Sequence, residues 1–138
     1  MNESKIVGLA EALNNTPSYK TLLTSRHHAL IADEPTGVGG TDEGPSPGDY
    51  ICMSLASCKT ITLRMYVQRK QWDVGSIHVK VNLVREESAA GPVHSFLCEL
   101  SISGVLTDEQ KQRLLQIDKA CPISKLLAKS AVVTTIMV

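Results

Sequence analysis

The sequence predicts a single α+β domain spanning residues 1–138, and three observations carry that prediction. Ile77, Val79, Val81 and Leu83 alternate with His78, Lys80 and Asn82, the period of a half-buried strand. A second run, "HSFLCELSISGVL", follows the turn "ESAAGP", so the two read as an antiparallel hairpin. Ahead of them lies one long apolar segment opened by Ser46-Pro47, the start signal of a helix.

A chain of 138 residues fits one domain, and 43% hydrophobic residues suffice for a core. With one Trp, one Phe and three Tyr, that core must be mostly aliphatic. Fourteen basic and fourteen acidic residues cancel, which argues against nucleic acid or an anionic membrane as a partner found by bulk charge. No run approaches the roughly 18 apolar residues of a membrane span. The opening "MNESKIVGLAEALNN" lacks the pattern of a signal peptide. The expected compartment is the cytoplasm, where structural disulfides are uncommon.

Residues 4–13 suggest a short helix with Ile6, Leu9, Ala10 and Leu13 on one face. "SYKTLLTS" and "HHALIADE" read as two strands around a turn near Arg26-His27. Residues 35–48 hold five glycines and three prolines, which predicts a long loop without regular structure. The long helix then starts at Ser46 as N-cap, with Pro47 at the first position and Asp49 completing an S-x-x-D cap, and runs to about Lys70. Ile51, Leu55, Cys58, Thr62 and Met65 form its expected apolar stripe, widened by Ala56, Leu63 and Val67. In the second hairpin Phe96, Cys98, Leu100 and Ile102 are expected inward. Thr107 opens a helix with a T-x-x-Q capping box that stops near Ala120, since Pro122 disfavours helical geometry in the residue before it. Pro122 starts a further short helix, and β-branched "AVVTTIMV" reads as a last strand.

Four cysteines carry the candidate chemistry: Cys52, Cys58, Cys98 and Cys121. No C-x-x-C pair occurs, so the usual zinc spacing is missing. Cys58 lies mid-helix and is either a small buried hydrophobe or, given a nearby cation, a thiolate. Cys121 precedes the first residue of a helix, whose free N–H groups would favour the anionic sulfur. Cys52 sits about 120° around the helix from Cys58 and should not pair with it. Cys98 reads as core, and Cys58 with Cys121 is the pair to consider. His78 and His94 could face each other across the hairpin, but no third ligand is evident, and no metal site is expected. The glycines form no nucleotide-binding pattern, so no cofactor is expected.

The stretches "ADEPTGVGGTDEGPSPGDYICMSLASCKTITLRMYVQRKQW" and "LTDEQKQRLLQIDKACPISKLL" resemble the OsmC/Ohr family of thiol-dependent hydroperoxide reductases, most closely its OsmC-like branch. The resemblance covers roughly residues 28–129. It implies an intertwined homodimer with long central helices wrapped by antiparallel sheets. It also implies that Cys58 is the peroxidatic cysteine and Cys121 the resolving one, joined as a disulfide after turnover. It implies an organic hydroperoxide, with hydrogen peroxide besides, as substrate and a dithiol reductant as partner, in oxidative stress defence. The family supports its thiolate with an Arg–Glu pair. Here the acidic position is Asp49, one methylene shorter, which an ideal helix points about 180° away from Cys58 and which also suits a cap. Arg26 is the best candidate for the arginine by location; Arg64 lies about 120° around the helix from Cys58. The competing reading is a non-enzymatic homodimer of the same fold that binds an apolar ligand or senses redox state, with a thiol-dependent hydrolase or acyl carrier behind it.

Overall fold

The structure, a computed structural model, describes residues 4–138, which form two compact units that divide between Ile51 and Cys52. In the first, strands β1 (Glu11–Leu13), β2 (Thr21–Ser25) and β3 (His28–Ala32) form an antiparallel sheet in that order. The hairpin expected around Arg26-His27 is present, with Ser25 opposite His28 and Leu23 opposite Leu30. Arg26 turns the chain with a left-handed φ of 55°.

The helix expected over residues 4–13 does not form. Residues 4–10 have no regular structure, and Glu11–Leu13 pairs with β2 instead. The turn that follows explains the preference: the Asn14 side-chain amide donates to the carbonyls of Ser18 (2.8 Å) and Lys20 (3.2 Å), closing a return to β2. Such a local side-chain closure competes with helix formation, and Gly8 weakens the helix further.

The glycine-rich stretch is ordered around one carboxylate. Asp33, 2% exposed, accepts from the backbone N–H of Glu34 (2.7 Å) and Glu43 (3.1 Å) and from the Thr41 hydroxyl (2.8 Å). The Thr41 hydroxyl, followed by these N–H groups, holds its pKa below the usual carboxylate value. The expectation of no regular structure fails locally, because a 3-10 turn occupies Thr36–Val38. Gly40 is required there, since a Cβ would strike the Glu34 carbonyl.

Helix α1 (Pro47–Lys70) begins as expected. The Asp49 carboxylate accepts the Ser46 N–H at 3.0 Å, and the Ser46 hydroxyl accepts the Asp49 N–H at 3.2 Å.

In the second unit β4 (Ile77–Ser88) and β5 (Gly91–Ile102) form a twelve-pair antiparallel ladder. Helix α2 (Asp108–Asp118) has the full Thr107–Gln110 capping box, and α3 (Pro122–Leu127) follows. The core gathers Leu63, Tyr66, Val67, Val74 and Leu114, flanked by Trp72, Ile77, Leu100, Ile102, Leu106 and Ile117. Gly104 donates its N–H to the Val74 carbonyl at 2.8 Å, an approach that a Cβ on Gly104 would block.

Three expectations are corrected here. The buried stripe of α1 is Leu55, Lys59, Leu63, Tyr66 and Val67, whereas Met65 is 61% exposed. Cys98 is exposed rather than core. "AVVTTIMV" forms no strand: residues 131–138 find no partner strand among the described residues and stand exposed. No helix among the described residues is long and apolar enough to cross a membrane.

Candidate active site

Two elements bring two thiols together. Cys58 lies in the middle of α1, half-buried. Cys121 is the residue capping α3, fully buried, where its Sγ accepts the Ser124 N–H at 3.5 Å. Cys58 and Cys121, 63 positions apart in sequence, are near enough in the fold for the Cys58 side chain to raise the Cys121 pKa. No disulfide joins them, and all four cysteines are free thiols.

The helix N-terminus was expected to favour a Cys121 thiolate, and the net effect is the opposite. Burial, followed by the Cys58 side chain, pushes the Cys121 thiol up from 9.0, outweighing the N–H groups of Ser124 and Ile123.

The other two thiols lie apart from this pair. Cys98 stands opposite Val81 in the ladder; desolvation raises its pKa while the Lys59 charge opposes that rise. Cys52 is close enough to Cys98 to add to the rise. His78 and His94 do not face each other, since His78 pairs with Ser101 and His94 with Arg85. Among the described residues no group of three His, Cys, Asp or Glu side chains could hold a metal ion.

Arg26 and Asp49 belong to the first unit. Arg26 is exposed at the β2–β3 turn, and Asp49 commits a carboxylate oxygen to the α1 cap. Arg64 donates to the Gly75 carbonyl at 2.6 Å, which holds α1 to the segment entering β4.

Sequence reasoning missed Lys59. It is 5% exposed, and its Nζ lies 2.6 Å from Asp118 Oδ2. The signal was in the sequence: Lys59 falls at the helical spacing of Leu55 and Leu63, four residues either side. Its charge argued for solvent, and only the acid at the end of α2 makes its burial tolerable.

A surface groove of about 730 Å³ is lined by Thr62, Met65, Gln68, Arg69, Ile117, Ala120 and Pro122, which include sequence neighbours of both cysteines but neither cysteine itself. Thr62 is one turn beyond Cys58, and Ala120 and Pro122 flank Cys121. Four of its seven lining residues are apolar, with Thr62, Gln68 and Arg69 as the polar ones. A smaller cavity of about 260 Å³ lies between β5 and α2.

With a capped 24-residue helix and two antiparallel sheets, the molecule has an OsmC-like α+β fold. The profile of the OsmC-like protein family matches residues 40–136, and the chain belongs to that family. Solved structures agree on the fold. A Psychrobacter arcticus protein assigned to the osmotic-stress-induced and detoxification response is similar at TM-score 0.73 and 19% identity, over 91% of each chain. An organic hydroperoxide resistance protein, OsmC, from Legionella pneumophila gives 0.67 and 14%, again over 91% of each. An organic hydroperoxide resistance protein from Elizabethkingia anophelis gives 0.67 and 18%, over 91% of this chain and 90% of its own. No curated protein matches the sequence significantly.

Proposed function

We propose that this protein is a cysteine-based peroxidase that reduces organic hydroperoxides, working as a homodimer in oxidative stress defence. The observation that carries the reading is the proximity of half-buried Cys58 to a fully buried Cys121 whose pKa burial and Cys58 raise. The organic hydroperoxide resistance of two structural relatives supports the same substrate class, as does the partly apolar groove lined by sequence neighbours of both cysteines.

The chemistry runs in two steps. The Cys58 thiolate attacks the distal peroxide oxygen, the O–O bond breaks, and the alkoxide leaves with a proton as the alcohol; Cys58 becomes a sulfenic acid. The Cys121 sulfur then attacks that sulfenic sulfur. Its proton leaves with the hydroxide as water, and a Cys58–Cys121 disulfide remains. A dithiol reductant returns both thiols and is itself oxidised to a disulfide.

Arg26 and Asp49 enter this proposal as thiolate-supporting groups by the family resemblance alone, and residues 1–138 are proposed to act as one functional domain. The homodimer is supported by apolar side chains left open on α1, Ile61 at 55% and Met65 at 61% exposure.

Substitution of the two cysteines tests the reading. Cys58→Ser is expected to abolish consumption of cumene hydroperoxide, because a serine hydroxyl is not ionised near neutral pH. Cys121→Ser is expected to complete one turnover and leave a sulfenic acid that dimedone traps. If Cys58→Ser still consumes peroxide while Cys121→Ser does not, the roles are reversed. If both behave as the parent, the molecule is not a thiol peroxidase.

A further inference from the structure

The buried Lys59–Asp118 pair has no part in the two chemical steps, yet it lies one residue from Cys58 and three from Cys121. The two side chains are 6% and 20% exposed, with the Lys59 Nζ donating to Asp118 Oδ2 at 2.6 Å. Asp118 is the last residue of α2, and its backbone carbonyl accepts the Cys121 N–H at 3.3 Å. The chain thus links the two cysteines by a continuous path. From Cys58 it passes through one peptide bond to Lys59, across the ion pair to Asp118 and through a backbone hydrogen bond to Cys121.

Stability alone does not account for an ion pair here. Removing two charges from water costs as much as the attraction commonly returns, and apolar residues of similar size often hold two helices as well or better. A short charged hydrogen bond adds direction, fixing distance and angle where an apolar contact can slide. Nor is Lys59 oriented as the cation for the Cys58 thiolate. Successive helix residues diverge by about 100°, and its ammonium is engaged by Asp118 on the side where it acts on Cys98.

We infer that Lys59 and Asp118 are positioning residues: their ion pair locks the Cys58 turn of α1 to the end of α2 and holds the two sulfurs at bonding register. The pair therefore governs disulfide formation between Cys58 and Cys121 and leaves peroxide attack at Cys58 alone. This inference rests on the proposed thiol chemistry, but its main test needs no peroxide.

The test uses the full chain carrying Cys52→Ser and Cys98→Ser, so that one disulfide can form. At equilibrium with oxidised and reduced glutathione, the two thiols and one oxidised glutathione give the protein disulfide and two reduced glutathiones, and the constant is read by thiol mass labelling. Lys59→Met is expected to lower both the melting temperature and the constant. Lys59→Met with Asp118→Leu removes both charges, so its melting temperature should recover to near the parent's. Its disulfide constant should stay about tenfold below the parent's, within the range of coupling between contacting residues. That split separates positioning from simple structural support. If the double variant regains the parent's constant along with its stability, the pair is only structural and the inference is overturned. It is overturned equally if the parent forms no Cys58–Cys121 disulfide in any of these buffers. A single addition of cumene hydroperoxide to the parent reports separately on the proposed function. If no peroxide is consumed, that function fails while the glutathione constants still judge the clamp.

Discussion

The two faces of α1 are built from similar residues and meet different fates. One face turns Leu55, Leu63, Tyr66 and Val67 into the core, all at 5% exposure or less, and accepts a lysine among them. The other turns Ile61 and Met65 outward at more than half exposure, with Cys58 half-buried one turn before Thr62. The buried face is satisfied within the chain, down to its one charge, which Asp118 neutralises. The open face is apolar without cover, which is the state of a surface that a second copy would complete. The difference shows that hydrophobicity says a helix face will be covered and does not say by what.

The largest expected effect breaks the buried face. Lys59→Met leaves Asp118 as an uncompensated, mostly buried charge, and should cost about 3–5 kcal/mol in urea unfolding. Leu63→Ala, at a position with no exposure, should cost about 2–5 kcal/mol by the same measurement. A loss below about 1 kcal/mol in either would mean that this face is less tightly packed than described.

The open face should respond in the opposite way. Met65→Glu should change the stability of the isolated chain by less than about 0.5 kcal/mol, as exposed substitutions do. Self-association should weaken about thirtyfold or more if Met65 is central to a dimer, read as mass against concentration by light scattering. A parent that is a monomer at micromolar concentration would remove the homodimer from the account.

A smaller effect sharpens the comparison through pH. The folded chain holds the Cys121 proton more tightly than the unfolded chain, because its pKa is raised above 9.0. The stability this contributes is complete below about pH 9 and is lost as pH rises through the higher folded value. Cys121→Ser should flatten that alkaline decline in thermal melts. An unchanged decline would assign it to another group. Asp33 behaves in mirror image: its lowered pKa contributes stability above 3.8 that is lost as pH falls through the folded value, and Asp33→Asn should flatten the acid limb.

Much of this was legible in the sequence wherever a local signal is also the final one. Ser46, Asp49, Thr107 and Gln110 cap helices through their own neighbours, and each cap forms as read. The alternation at Ile77–Leu83 yields a strand because the hairpin partner is near in sequence. Apart from the first segment, where the Asn14 turn displaced the expected helix, the misreadings fall where partners are remote. The expected apolar stripe ran through Cys58, Thr62 and Met65, whereas the buried one runs through Lys59, Leu63 and Tyr66, and a lysine is buried only where an acid meets it. Its acid lies 59 residues away at the end of α2. The last segment was read as a strand from β-branching, but a strand needs a neighbour, and among the described residues it has none. For the thiols, the sequence suggested the pair, and the Cys121 environment reversed the expected protonation. Burial is a property of the whole fold that a helix-capping position cannot disclose.

The central claim is that Cys58 and Cys121 form one redox site, and a thiol count after a single equivalent of cumene hydroperoxide tests it most directly. The account predicts that two of the four thiols per chain disappear and that peptide mapping under non-reducing conditions finds Cys58 linked to Cys121. Four thiols remaining after the peroxide has had time to react, or a dominant linkage through Cys52 or Cys98, would contradict it.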